Sequence, residues 1–108
     1  MIKTRISQET LQRIKIKLQE IYGGRLKGVV LYGSEARGEA TDESDIDLLV
    51  LLEGPVRALG DLRIIVDALY PFQLEIDRPI HAMPADFSDY KAGEFSLYSS
   101  ASEEGVLL

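Results

Sequence analysis

The chain has no cysteine, no tryptophan, a single histidine and four prolines in 108 residues. Without cysteine there can be no disulfide and no thiolate metal centre, which fits a cytoplasmic location. No apolar run approaches the ~18 residues needed to cross a bilayer, and the opening MIKTRISQET has no apolar signal core, so no membrane role is expected. The phosphate-loop spacing G-x-x-x-x-G-K-[ST] is also missing. There are no internal repeats, no low-complexity segment and no linker.

What is present is ordinary globular material: 45% apolar and 28% charged residues, enough for one domain over residues 1–108 with a single core. The net charge of −6 argues against stable nucleic-acid binding. The charge is unevenly spread. Residues 1–28 carry seven basic residues (Lys3, Arg5, Arg13, Lys15, Lys17, Arg25, Lys27) against Glu9 and Glu20, while the remainder carries five basic and sixteen acidic residues. The basic end is either a solvated helix face or a surface for a partner or a polyphosphate.

Leu11, Ile14, Leu18 and Ile21 recur at helical spacing between Ser7, a candidate cap, and Gly23-Gly24, which predicts a helix over 8–22. Val29 to Tyr32 reads as a short buried strand. Residues 45–52 read as a second strand, apolar on both faces after its acidic start and therefore central. Pro55 suits a helix start, and Leu59, Leu62, Val66 and Leu69 share a face, predicting a helix over about 56–70 that Pro71 ends. Residues 73–83 alternate enough for a third strand, with Pro79 at an edge or bulge. A loop or short helix follows at Ser88–Gly93, then a helix over 95–104, and Val106-Leu107-Leu108 can add a short strand. The expected class is α/β (α+β): a small mixed sheet with helices packed on it.

The chemistry concentrates in GSEARGEATDESDIDLLV, residues 33–50. Asp45 and Asp47 are two places apart, so on a strand they share a face. Two carboxylates so close repel unless a cation lies between them. Oxygen ligands with no cysteine nearby point to Mg²⁺ or Mn²⁺, and paired metals on such carboxylates serve phosphoryl or nucleotidyl transfer. The plainer reading makes Asp45 a turn cap and Asp47 a rim residue. Gly33 lets backbone approach a ligand closely, Ser34 offers a hydroxyl at a helix entry, and Arg37 lies one turn later, within reach of the same anion. If the flanking strands pair, the phosphate end and the carboxylate pair meet at one end of the sheet. Glu35, Glu39, Asp42 and Glu43 read as solvated.

Gly33-Ser34, ten intervening residues, then Asp45-Ile46-Asp47 resembles the signature of the DNA polymerase β-like nucleotidyltransferase superfamily. With Ala36-Arg37-Gly38 and Ser44 also in register, the stretch looks like the smallest branch, the minimal nucleotidyltransferases. The likeness runs over roughly residues 10–108, including the closing SASEEGVLL. The resemblance implies transfer of NMP, usually AMP from ATP, to an acceptor hydroxyl with release of pyrophosphate. Asp45 and Asp47 would hold Mg²⁺, two ions in the usual arrangement, with Mn²⁺ as a substitute. Gly33, Ser34, Arg37 and Ser44 would face the nucleotide. Members of this branch are often encoded beside a helical HEPN protein, which implies an antitoxin that adenylylates its toxin partner.

The superfamily's third carboxylate, on a later strand, has two candidate positions here. Local appearance puts Asp77 there, as a third metal ligand and catalytic residue; an ungapped match puts His81 there. They lie four residues apart, about 13 Å along an extended strand, so they cannot share the position. Asp77 could equally be a turn residue, and His81 a structural hydrogen-bonding residue. A gap at this position would suit a different role, a non-catalytic module that neutralises a partner by occlusion. A transferase directed at antibiotics or nucleic acids fits less well, given the acidic balance and the small chain.

Overall fold

The computed structural model describes residues 6–108. Lys3 and Arg5 of the basic N-terminal segment lie outside the described residues. Helix α1 runs Gln8–Tyr22. The Ser7 Oγ accepts from the Thr10 amide at 3.1 Å, and Gly23 closes the helix at φ 55°. Leu11, Ile14 and Leu18 are buried as the spacing predicts, but Ile21 is exposed, and Tyr22 beside it packs against the core instead.

The strands are β1 (Leu26–Tyr32), β2 (Ile46–Leu52), β3 (Ile80–Asp86) and β4 (Val106–Leu107). They form one mixed sheet in the order β3-β2-β1-β4. β1 is antiparallel to β2 and to β4, and β2 is parallel to β3. β2 is central and buried along its length apart from Asp47. Its alternation splits the core. Ile46, Leu48, Val50 and Leu52 pack with α1 and the following helix on one face. Leu49 and Leu51 face Val30, Ala85 and Ala101 on the other.

Helix α2 is the five-residue turn Gly33–Arg37, α3 runs Ala58–Glu75, α4 Phe87–Ala92 and α5 Ser96–Glu104. α3 departs from expectation twice. It passes through Pro71 to Glu75 instead of stopping there. The proline frees the carbonyl of Asp67, and both residues are exposed, so water can accept the loss. Its buried side is Asp61, Ile65, Ala68, Leu69 and Phe72, whereas Leu59 and Val66 face solvent. The helix is apolar on two sides, so periodicity alone could not choose the packed one. Asp61 is buried because it accepts from the Arg57 amide at 2.8 Å and the Tyr22 hydroxyl at 2.9 Å. Burial chiefly, then that hydrogen bond, raises the Tyr22 phenol above its ordinary range.

The longer α3 moves the third strand. β3 begins at Ile80, not near residue 73, and Pro79 precedes it; Pro84 is tolerated because β3 is an edge. The tail does add β4, paired through Val30–Leu107 and Leu31–Val106.

Candidate active site

The hairpin-like return from β1 to β2 brings the two halves of the motif to one end of the sheet. Tyr32, the last residue of β1, lies opposite Asp47. Gly33 follows immediately at φ 71°, a conformation that disfavours a side chain. A Cβ placed on Gly33 would sit 2.4 Å from Asp47 Oδ2. The Asp47 carboxylate therefore lies directly against the backbone that opens α2 and carries Ser34. Gly33→Ala is expected to cost about 1–2 kcal/mol from the left-handed backbone alone. It should also push Asp47 out of place, so thermal unfolding and nucleotide affinity should both fall. Wild-type nucleotide affinity in this variant would mean the contact is incidental.

Asp47 is partly buried, its side chain 23% exposed, on the sheet face covered by α4 and α5. Burial first, and then the Asp47 charge, raise the Tyr32 phenol. Asp45 is exposed and lies one residue ahead of β2, not within it. Asp77 does not complete the site. It is exposed in the turn between α3 and β3, because the sequence taken as early strand belongs to α3. The parallel register instead sets His81 opposite Asp47. Its Nδ1 is 3.5 Å from Asp47 Oδ1, and the ring is largely exposed.

Among the described residues no group of three or more His, Cys, Asp or Glu gathers as a metal site. That does not conflict with Mg²⁺, which commonly takes one or two carboxylates and fills its shell with water and substrate phosphate oxygens. Asp45 and Asp47, with Gly33 backbone against the latter, are a donor set that fits such an ion.

Two residues assigned to the nucleotide are engaged otherwise. The Arg37 guanidinium bonds Glu39 at 3.1 Å and Glu104 of α5 at 3.4 Å, tying α2 to α5. The Ser44 hydroxyl accepts from the Thr41 amide at 2.9 Å and closes the loop before Asp45. Glu39, Asp42 and Glu43 are exposed as expected, but Glu35 is fully buried and ion-paired with Arg78. Neither partner carries a local signature, since they are forty-three residues apart and meet only through the fold.

A family model described as nucleotidyltransferase domain matches residues 11–108. The chain belongs to the nucleotidyltransferase domain family. Two relatives from Methanocaldococcus jannaschii carry the inferred name protein adenylyltransferase. One is 35% identical over 88 residues, covering 77% of this chain and 56% of that protein. The other is 53% identical over 34 residues, covering 32% of this chain and 34% of that protein. The matched stretches thus span between about a third and just over half of these relatives' lengths. Solved structures share the fold. An inferred nucleotidyltransferase from Sulfolobus solfataricus superposes with a TM-score of 0.64 at 19% identity, over 92% of this chain and 76% of its own. A toxin–antitoxin structure with AMP-PNP gives 0.62 at 18% identity, over 89% and 70%. The matched range of this nucleotidyltransferase domain includes the sheet end where Gly33, Asp47 and His81 meet.

Proposed function

We propose that the domain transfers AMP from ATP to a hydroxyl on a partner protein, as the antitoxin of a toxin–antitoxin pair. The observation that carries this is the contact between the Asp47 carboxylate and the Gly33 backbone, which joins the phosphate end of the motif to its metal end. The inferred protein-adenylyltransferase names of the archaeal relatives support the reaction class. The toxin–antitoxin neighbour solved with AMP-PNP supports the setting. By resemblance, the partner is a HEPN-type protein.

Asp45 and Asp47 would hold Mg²⁺, which supplies charge neutralisation on the triphosphate. Gly33 and Ser34 receive the terminal phosphates. The acceptor oxygen attacks the α-phosphorus, the bond to the β-phosphate oxygen breaks, and pyrophosphate leaves. His81, beside Asp47, is the base placed to take the hydroxyl proton.

The test is direct. The chain, incubated with the product of its neighbouring gene, ATP and Mg²⁺, should add one AMP to that protein, read by intact mass. No adduct with either Mg²⁺ or Mn²⁺ would sink the reading. A second reading is favoured by the imidazole standing where a third carboxylate is expected: a module that neutralises its partner by occlusion. In that case the Asp45→Asn, Asp47→Asn double variant still neutralises the partner, with no metal-dependent ATP binding in the wild type.

A further inference from the structure

Arg78 stands in the turn before β3, and its guanidinium reaches two segments that meet only in the folded chain. Nη1 pairs with the Glu35 carboxylate, one residue after Ser34 within α2. Nε donates at 2.8 Å to the backbone carbonyl of Ser44, one residue before Asp45. The two side chains are closed off from solvent, Arg78 at 11% and Glu35 at 0% exposure. One planar cation therefore bridges the residue that follows the phosphate-end serine and the residue that precedes the first metal-end aspartate.

Arg78 is held in turn from α3. The Gln73 amide donates to the carbonyls of Arg78 at 2.9 Å and Ile76 at 3.3 Å, and its oxygen accepts from the Ile80 amide at 2.7 Å. The Pro79 carbonyl accepts from the Ile46 amide at 2.8 Å, fastening the same turn to β2. The guanidinium thus projects from a braced turn, not a loose loop.

A buried ion pair is a poor way to gain stability, since apolar side chains of similar size often do as well or better. What apolar side chains cannot do is hold the Ser44 carbonyl and the α2 carboxylate on one rigid fork. We infer that Arg78 and Glu35 are positioning residues that set α2 against the Ser44–Asp45 segment, so that Ser34 and Asp45 engage one nucleotide. This rests on the nucleotidyl-transfer reading above, but its structural half can be tested separately.

The test uses the full chain with Glu35→Leu and Arg78→Met together, and separately Arg78→Lys. The double variant removes both charges and keeps the volume, so its thermal midpoint should fall only by what the lost hydrogen bond to the Ser44 carbonyl costs. Amide exchange at Gly38, Glu39 and Ser44 should quicken while central β1 and β2 amides stay protected. The Kd for ATP with Mg²⁺, by calorimetry, should rise about 10- to 100-fold. Arg78→Lys keeps the charge and loses the fork, so it should fold and show the same direction of loss even if the double variant does not fold. Wild-type ATP affinity in a folded variant overturns the inference. If wild type itself binds no ATP, the nucleotidyl-transfer reading fails, and exchange alone decides: unchanged protection at those three amides overturns the positioning role, and lost protection upholds it.

Discussion

Asp47→Asn is expected to lower AMP transfer about 10³-fold or more in a chain that still folds. The amide has the shape of the carboxylate, so the contact with Gly33 survives. The anionic oxygen that would hold a hard cation does not. Stability should be unchanged or slightly higher. Among the residues around this carboxylate, His81 is charged only when protonated, and the Tyr32 phenol is held neutral by burial and by the Asp47 charge itself. Removing that charge should also let the Tyr32 ionisation fall back toward, but not below, its ordinary value of 10.0, because burial remains the larger cause. Labelled-ATP transfer, thermal unfolding and phenol absorbance against pH check the three parts. Transfer at the wild-type rate would remove Asp47 from the proposed metal pair.

Arg78→Ala alone should cost about 3–5 kcal/mol of folding stability, much of what a domain of this size has. Deleting one partner leaves the Glu35 carboxylate fully buried with its principal cation gone, and strands the Ser44 carbonyl as well. Exposed ion pairs contribute far less: Arg13 with Glu75, both about half exposed, should lose no more than about 1 kcal/mol on the same treatment. Urea denaturation of both variants makes the comparison. A loss under about 1 kcal/mol for Arg78→Ala would mean that water reaches the pair and that the buried geometry does not persist.

Much of the fold could be read locally. Ser7 as cap, the 3.6-residue spacing of Leu11, Ile14 and Leu18, and Gly23 as stop define α1 without reference to the rest of the chain. The unbroken apolar run after Asp47 marks β2 as central. Gly105 follows a helix as expected, and Gly38 and Gly93 each close a further one. Failures cluster where two patterns competed. α3 has apolar residues on two sides, and its local sequence cannot say which meets the sheet. Pro71 marks a break only if its helix position needs the missing donor, and on the exposed side it does not.

The approach of Gly33 to Asp47 was legible because β1 and β2 pair, and the segment between them returns the chain to the same end of the sheet. The third position was not. β2 and β3 are parallel and joined by a helical crossover, so their register depends on how far α3 runs before the chain turns back. Five further residues of helix carry Asp77 into the turn and bring His81 opposite Asp47. The same crossover carries Arg78 under α2, where it finds Glu35. A residue's type and its near neighbours are written in the chain; which distant residue it faces is set by the lengths and packing of the elements between, and at this site that decides both the imidazole beside Asp47 and the buried cation behind Ser34.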